Sequence, residues 1–258
     1  MAIVKDFDGT GDHVQVADPT GVDPSAGWFF GMWVLYDTND KCLLRIGADS
    51  STPARGISIM VNGFDRFQVV ETANQELFNM GATATSGTWY RLGGWWAGSG
   101  WPNWVQNGAA ASPGGFTSSP LALSAGDAYV FGEVTTLGGS SRGDWDGAIG
   151  FSFWVNTAAG NMPTAAELDA YIQDPQSLLS DFGSVGVVDA GACKILWGFC
   201  DTGNATDESG TGNTGVVVGS DGTRVVSPAS YPAWNPCGSA PAFVPGPYNY
   251  RRRRGMAT

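Results

Sequence analysis

The residue types that enzymes use for acid, base and metal chemistry are few in this sequence and widely spaced. The single histidine, His13, cannot form a zinc site alone, and nothing in the sequence indicates a nucleophile or an orienting acid beside it. The five glutamates do not form the E-x-D-x-E pattern that places paired carboxylates on one face of a glycosidase strand. No Gly-rich phosphate loop with its lysine is present. The sequence therefore predicts a non-enzymatic protein, with a glycoside hydrolase as a remote alternative.

Two groups of Asp and Asn residues have the oxygen ligands that calcium prefers. The candidate ligands are Asp6, Asp8 and Asp12 near the N-terminus, and Asp201, Asn204, Asp207 and Asn213 in the C-terminal third, with Asp144 and Asp146 as further candidates. Asx turns, in which such side chains bond to their own backbone, explain the same residues equally well. The sequence contains no motif that requires a cofactor. A structural calcium ion is the one bound group for which it offers candidate ligands.

Carbohydrate binding by a β protein would use exposed aromatic side chains, and one segment is rich in tryptophan. The candidates are Trp95, Trp96, Trp101 and Trp104. The alternative is that these rings fill a core or an interface, because a Gly-rich β domain with few long aliphatic residues must use aromatics for that purpose.

The elements that must position these residues are short strands joined by tight turns. The 258 residues include 38 Gly and 14 Pro together with 11 Trp and 13 Phe, a composition typical of an all-β domain. An apolar run predicts a central strand at Trp28–Tyr36, because both of its faces are apolar. Strands are also predicted at Thr88–Trp96 and at Gly147–Val155, the latter with Ile149, Phe151, Phe153 and Val155 on a single face. Thr164 and Glu167 have the spacing of a capping box at the start of a helix.

Charge and cysteine content limit the partners and the compartment. The formal net charge of −11 argues against nucleic-acid binding, and the basic Arg251–Arg254 cluster is the exception. The N-terminus lacks the pattern of a secretory signal, and no segment is apolar enough to span a membrane. Without a signal, the four cysteines are expected to be buried thiols of a protein made in a reducing cytosol.

A family resemblance lies in the order of five segments: FDGTGDHVQV, GWFFGMWVLY, GTWYRLGGWW with WPNWVQNG, DWDGAIGFSFWVN and MPTAAELDAYI. This succession, over residues 3 to 172, resembles the laminin-G-like, pentraxin-like branch of the concanavalin A-type jelly rolls. The resemblance implies an antiparallel β-sandwich with one short helix, and members of this group often hold a structural calcium ion. One position departs from the family pattern, because Gly150 follows Ile149 where an acidic residue is usual. That departure weakens any inherited polar site at this strand.

The C-terminal third extends the resemblance in an unusual order. Residues 195–217 resemble the segment that normally begins such a domain. This predicts a circular rearrangement, in which residues 194–226 supply strands to a single sandwich formed by residues 1–226. A truncated second module is the alternative. Residues 227–258 carry six prolines and several aromatics and are predicted to form an extended arm, whose docking residues would be Tyr248, Tyr250, Arg251, Arg252, Arg253 and Arg254.

Two functions from different classes follow. The leading hypothesis is a structural protein of a virion surface, a capsid decoration or fibre-associated protein resembling those of bacterial viruses. It would be assembled in the host cytoplasm and bound through its arm to other virion proteins or to itself. The alternative is a lectin-like module that binds cell-surface or environmental glycans through the Trp-rich segment. The arm itself could contact its own sandwich or a neighbouring subunit.

Overall fold

The structure is a computed structural model, and it describes most of the chain up to residue 226. The described residues are 2–47, 56–71, 76–79, 81–100, 102–111, 120, 122–125, 127–132, 135–137, 140–175, 178, 192–199, 205–219 and 222–226. The predicted docking residues Tyr248 and Tyr250 and the basic cluster Arg251–Arg254 lie outside them, as do Trp101, Asp201 and Asn204.

Seventeen strands and one α-helix make up the described elements. The strands are β1 Ala2–Asp8, β2 His13–Ala17, β3 Trp28–Tyr36, β4 Lys41–Gly47, β5 Ile57–Val61, β6 Phe67–Glu71, β7 Glu76–Asn79, β8 Thr88–Trp96, β9 Asn103–Gln106, β10 Ala109–Ala111, β11 Ala128–Phe131, β12 Thr135–Leu137, β13 Ser140–Arg142, β14 Asp146–Asn156, β15 Cys193–Gly198, β16 Val216–Val218 and β17 Gly222–Val226. The helix, α1, is Ala165–Gln173, and a short 3-10 turn covers Ala159–Asn161.

Two antiparallel sheets pack face to face around one large core. The eight-stranded sheet has the order β10-β9-β8-β3-β14-β1-β17, with β15 also paired to β14. The seven-stranded sheet has the order β16-β2-β11-β4-β5-β6-β7. Their facing side chains form a cluster of aromatic and branched aliphatic residues, which is the core of the sandwich. Strand β3 is buried along its whole length, as its two apolar faces predict.

Strand β14 is central, but a β-bulge changes which of its residues share a face. The pairing with β3 shifts register between Ile149 and Phe151. Ile149 therefore packs in the core between the sheets, whereas Phe151 and Phe153 lie on the outer face of the eight-stranded sheet. The prediction that these residues share one face is wrong, because one extra residue in a bulged strand reverses the alternation that follows it.

Helix α1 covers that outer face. Thr164 accepts a hydrogen bond from the Glu167 backbone, and the Glu167 carboxylate accepts one from the Thr164 backbone, so the predicted capping box is confirmed. Gly31 and Gly93 allow α1 to approach the sheet closely, since a Cβ added to either glycine would lie within 2.9 Å of the Ile172 side chain. An ion pair between Arg91 and Asp169, at 2.9 Å, fixes the helix against β8.

The last three strands join both sheets. β15 pairs with β14 and β17 with β1 in the eight-stranded sheet, whereas β16 pairs with β2 in the other. Cys42 and Cys193 are buried thiols, and burial raises the pKa of Cys193 to about 12. Ser140–Arg142 pairs with Thr135–Leu137 in a separate two-stranded sheet, which the β-branched threonines favour. Within the described residues, no helix has the length and apolar character needed to cross a membrane.

Candidate functional site

The Trp-rich segment contributes to the core more than to the surface. Trp96 is 1% exposed and Trp104 is fully buried, so neither can offer a ring face to a sugar. Trp104 packs against Trp28 and Phe30 with ring centroids 6.1 and 6.3 Å apart. Trp95 is half-buried on the outer face beside α1. The core role set out above as the alternative is therefore the one observed for Trp96 and Trp104.

The burial of Trp104 has a simple local cause. Gly94 lies directly opposite it in the β8–β9 pair. A Cβ added to Gly94 would lie 2.3 Å from Cε3 of the Trp104 ring, so the indole occupies the space that any other residue would fill. The hairpin that follows turns at Asn107 and Gly108, both with positive φ, as the Asn-Gly pair predicts.

The N-terminal acidic residues lie at one end of the sandwich and act in its turns. The Asp8 carboxylate accepts a hydrogen bond from the Thr10 backbone, and that of Asp144 accepts one from Gly11. The Asp146 carboxylate accepts a bond from the Thr38 hydroxyl. Asp6 is half-buried on β1, and Asp12 is only 2% exposed. Of these contacts, only the one from Thr10 to Asp8, two residues apart, has the form of an Asx turn; those of Asp144 and Asp146 join distant parts of the chain.

The C-terminal acidic group is also built into the fold. Asp207 accepts hydrogen bonds at 2.9–3.1 Å from the backbone N–H groups of Leu196, Ser209 and Asn213. The Asn213 side chain in turn donates to the carbonyls of Thr20 and Lys194. The Asp207 carboxylate therefore ties β15 to the segment that ends at Asn213. In the described part of the chain, no three His, Cys, Asp or Glu residues are grouped so that they could hold a metal ion.

The aromatic side chain that does reach solvent is Phe64, at the tip of the β5–β6 hairpin. It is 80% exposed, and it is the only aromatic among the large hydrophobic residues that are exposed in the described ranges. The Asn62 side chain fixes the turn by accepting bonds from the backbone N–H groups of Phe64 and Arg66, both at 3.0 Å. The backbone of Asn62 also pairs with Arg66. The ring is thus presented on an ordered turn.

Two carboxylates flank this turn. Asp65 follows Phe64 with a positive φ, and its carboxylate accepts a hydrogen bond from the Tyr36 hydroxyl. Burial, reinforced by this bond to Asp65, raises the pKa of Tyr36, so the hydroxyl stays a donor at neutral pH. The Asp40 carboxylate comes from the neighbouring loop, 3.2 Å from the position of a Cβ added to Gly63. The turn that exposes the Phe64 ring therefore has two acidic residues beside it, Asp65 within the turn and Asp40 near Gly63.

Sequence reasoning did not single out Phe64, although a signal was present. Strands β5 (57–61) and β6 (67–71) leave a five-residue connection, Asn62 to Arg66, and Phe64 is the aromatic residue within it. A turn between two strands has no face that packs on the core, so a large apolar side chain in it is expected to be exposed to solvent.

Comparisons with known proteins add information on the fold. No protein-family profile matches this chain. No curated protein matches it either. Among solved structures, a proposed carbohydrate-binding protein from Bacteroides ovatus is similar over 88% of this chain, with a TM-score of 0.59 and 12% identity. The match covers 60% of that protein, so this chain spans less than two thirds of its length.

Weaker structural similarities fall in the same group of folds. A heptameric pentraxin from Limulus polyphemus has a TM-score of 0.48 and 14% identity, over 66% of this chain and 82% of that one. Domains LG4-5 of the mouse laminin alpha1 chain have a TM-score of 0.47 and 9% identity, over 58% of this chain and 41% of that one. With its two antiparallel sheets and single helix, the chain has the concanavalin A-like, laminin-G-like sandwich fold that the sequence predicts.

Proposed function

We propose that this protein is a carbohydrate-binding module that holds its ligand at the β5–β6 end of the sandwich, against Phe64. The observation that carries the proposal is the 80% exposure of this ring on a turn fixed by Asn62. The similarity in fold to a protein described as carbohydrate-binding supports the same class of function. Binding without catalysis is part of the proposal, since the sequence lacks the paired carboxylates of a glycosidase strand.

The geometry suits a sugar because a pyranose presents an apolar C–H face and a rim of hydroxyl groups. The Phe64 ring offers a flat apolar surface, and covering it would contribute about 1.5–3 kcal/mol to binding. Asp40 and Asp65 supply carboxylate oxygens that accept hydrogen bonds from hydroxyl groups. Since the Asn62 turn is already formed, little ordering cost opposes binding.

Charge limits the ligand class. Two carboxylates flank Phe64 and the chain as a whole carries −11. Anionic sugars with carboxylate or sulfate groups would be repelled. We therefore expect neutral glycans, or glycans with amino sugars, rather than sialylated or sulfated ones.

A glycan array with neutral, amino-sugar, sialylated and sulfated members tests this function. The wild-type protein should bind neutral or amino-sugar members, and Phe64→Ala should lose them. Trp89→Ala is the matched control, because Trp89 is a half-buried aromatic packed against the outer-face cluster beside α1 and is not one of the candidate glycan-binding residues. No binding by the wild-type protein, or equal binding by Phe64→Ala, would contradict the proposal.

The virion-surface role expected from the sequence is the weaker proposal. None of the comparisons supports a virion context, and the arm on which that role depends lies outside the described residues. Imaging of particles from the source, with an antibody against the sandwich, would test it directly. Labelled particles would favour it, and a signal confined to secreted or cell-associated protein would count against it.

A further inference from the structure

The outer face of the seven-stranded sheet is buried, although an outer sheet face normally meets solvent. Met60 is 1% exposed and Val70 0%, while their chain neighbours Ile59 and Val69 belong to the core between the sheets. Side chains alternate along a strand, so Met60 and Val70 point away from that core. Three more residues at this face are equally buried: Cys42, Ser58 and Val130.

The described elements do not account for this burial. Helix α1 packs against β3, β8 and β9, which belong to the other sheet. Met60 and Val70 contact each other. The hydroxyl of Ser58 is buried with no hydrogen-bond partner among the described residues. An apolar pair and a hydroxyl shielded in this way indicate that a further segment covers this face.

Residues 227–258 have the length and chemistry of that cover. Strand β17 ends at Val226 on the edge of the eight-stranded sheet, and 32 residues follow (258 − 226). An extended proline-rich chain rises about 3.1 Å per residue, so this segment can reach about 100 Å. Seven strands about 4.8 Å apart span only about 29 Å. The other undescribed connections beside this sheet, such as 48–55 and 112–119, have eight residues each.

Composition and charge favour the same occupant. The segment carries aromatic residues at intervals: Tyr231, Trp234, Phe243, Tyr248 and Tyr250. Its prolines oppose pairing as a further strand but permit an extended path over a surface. The four arginines near its end carry +4, and subtracting them leaves −15 on the rest of the chain (−11 − 4). Attraction between the two would hold the segment near its own sandwich.

We propose that residues 227–258 pack in cis across the outer face of the seven-stranded sheet, over Met60, Val70 and Val130. The C-terminal segment then has the role on this sheet that α1 has on the other. The face is closed to ligands, which leaves the end of the sandwich for binding. The proposal stands whether or not the Phe64 site binds a glycan.

Photo-crosslinking in the full-length protein tests the proposal. A benzophenone amino acid replaces Gln68, which is half-buried next to Met60 on this face. The control places it at Ala166, exposed on α1 over the opposite sheet. Mass spectrometry should find residues 227–258 of the same molecule captured from position 68 and not from 166. Capture of 48–55, of 112–119, of a second copy's segment in an isotope-mixing experiment, or of nothing would overturn it.

Thiol labelling gives a second, independent measurement. Cys42 lies at the proposed covered face, whereas Cys193 is buried in the cluster beneath α1. In a full-length protein with Cys200 and Cys237 changed to Ser, the further change of Tyr231 and Trp234 to Ser should raise the labelling rate of Cys42 about tenfold, because local opening becomes easier. The rate of Cys193 should stay the same. An unchanged Cys42 rate, or an equal rise at both thiols, would contradict the proposal.

Discussion

Aromatic side chains of the β8–β9 and β5–β6 hairpins differ sharply in their exposure to solvent. The β8–β9 pair holds several tryptophans, yet Trp104 is fully buried and Trp96 is 1% exposed. The β5–β6 hairpin has one aromatic residue in its turn, Phe64, and that ring is 80% exposed. Packing partners, rather than the number of aromatics, decide exposure. Trp104 faces a glycine across the strand pair, whereas Phe64 lies in a turn with no facing sheet.

The two hairpins should differ most in how much the free energy of unfolding falls when an aromatic ring is replaced by alanine. Trp104→Ala deletes a fully buried indole in contact with Trp28 and Phe30. We expect a loss of about 3–5 kcal/mol in the free energy of unfolding, since the cavity cannot collapse fully. Urea denaturation followed by circular dichroism measures it. A loss as small as that of the half-buried Trp95→Ala would show that Trp104 is not the core residue described above.

The second prediction concerns the glycine that makes room for Trp104. In Gly94→Ala, the new methyl group would overlap Cε3 and Cζ3 of the Trp104 ring. Displacing the ring should cost about 1–3 kcal/mol of folding free energy. Gly160→Ala is the matched control, because a Cβ there meets nothing within 4 Å. Equal stability of the two variants would mean that Gly94 does not place the indole in the core.

The same contrast separates what the sequence predicts from what needs the structure. Local patterns suffice for β3, which is a continuous apolar run, for the Asn107–Gly108 turn and for the capping box of α1, because these depend on nearby residues. The bulge after Ile149 and the burial of Trp104 depend on strands distant in sequence. Register, not residue type, determines which face each residue takes. A candidate site made of surface aromatics therefore could not be placed by composition alone.

A smaller effect is expected at the turn that presents Phe64. Asn62→Ala removes the side-chain oxygen that accepts the backbone bonds of Phe64 and Arg66. Water replaces part of this interaction at a half-exposed site, so the protein should lose about 1 kcal/mol of stability. Glycan affinity should fall as well, because the ring must be ordered on binding. Asn62→Asp, which keeps the acceptor, should restore both, and failure of that rescue would argue against the turn-fixing role.

The smallest change in stability, and the largest in function, is predicted for Phe64 itself. The ring is 80% exposed, so Phe64→Ala should alter the free energy of unfolding by less than about 0.5 kcal/mol. If a glycan covers the ring, losing about 1.5–3 kcal/mol of apolar contact weakens binding roughly 10- to 150-fold. Calorimetric titration with a glycan identified on the array measures the affinity, and urea denaturation measures the stability. Phe64→Tyr keeps the flat ring and should bind nearly as well as the wild-type protein. A large loss of stability in Phe64→Ala would show that the ring contributes to folding. Unchanged affinity would show that the ring does not contact the glycan.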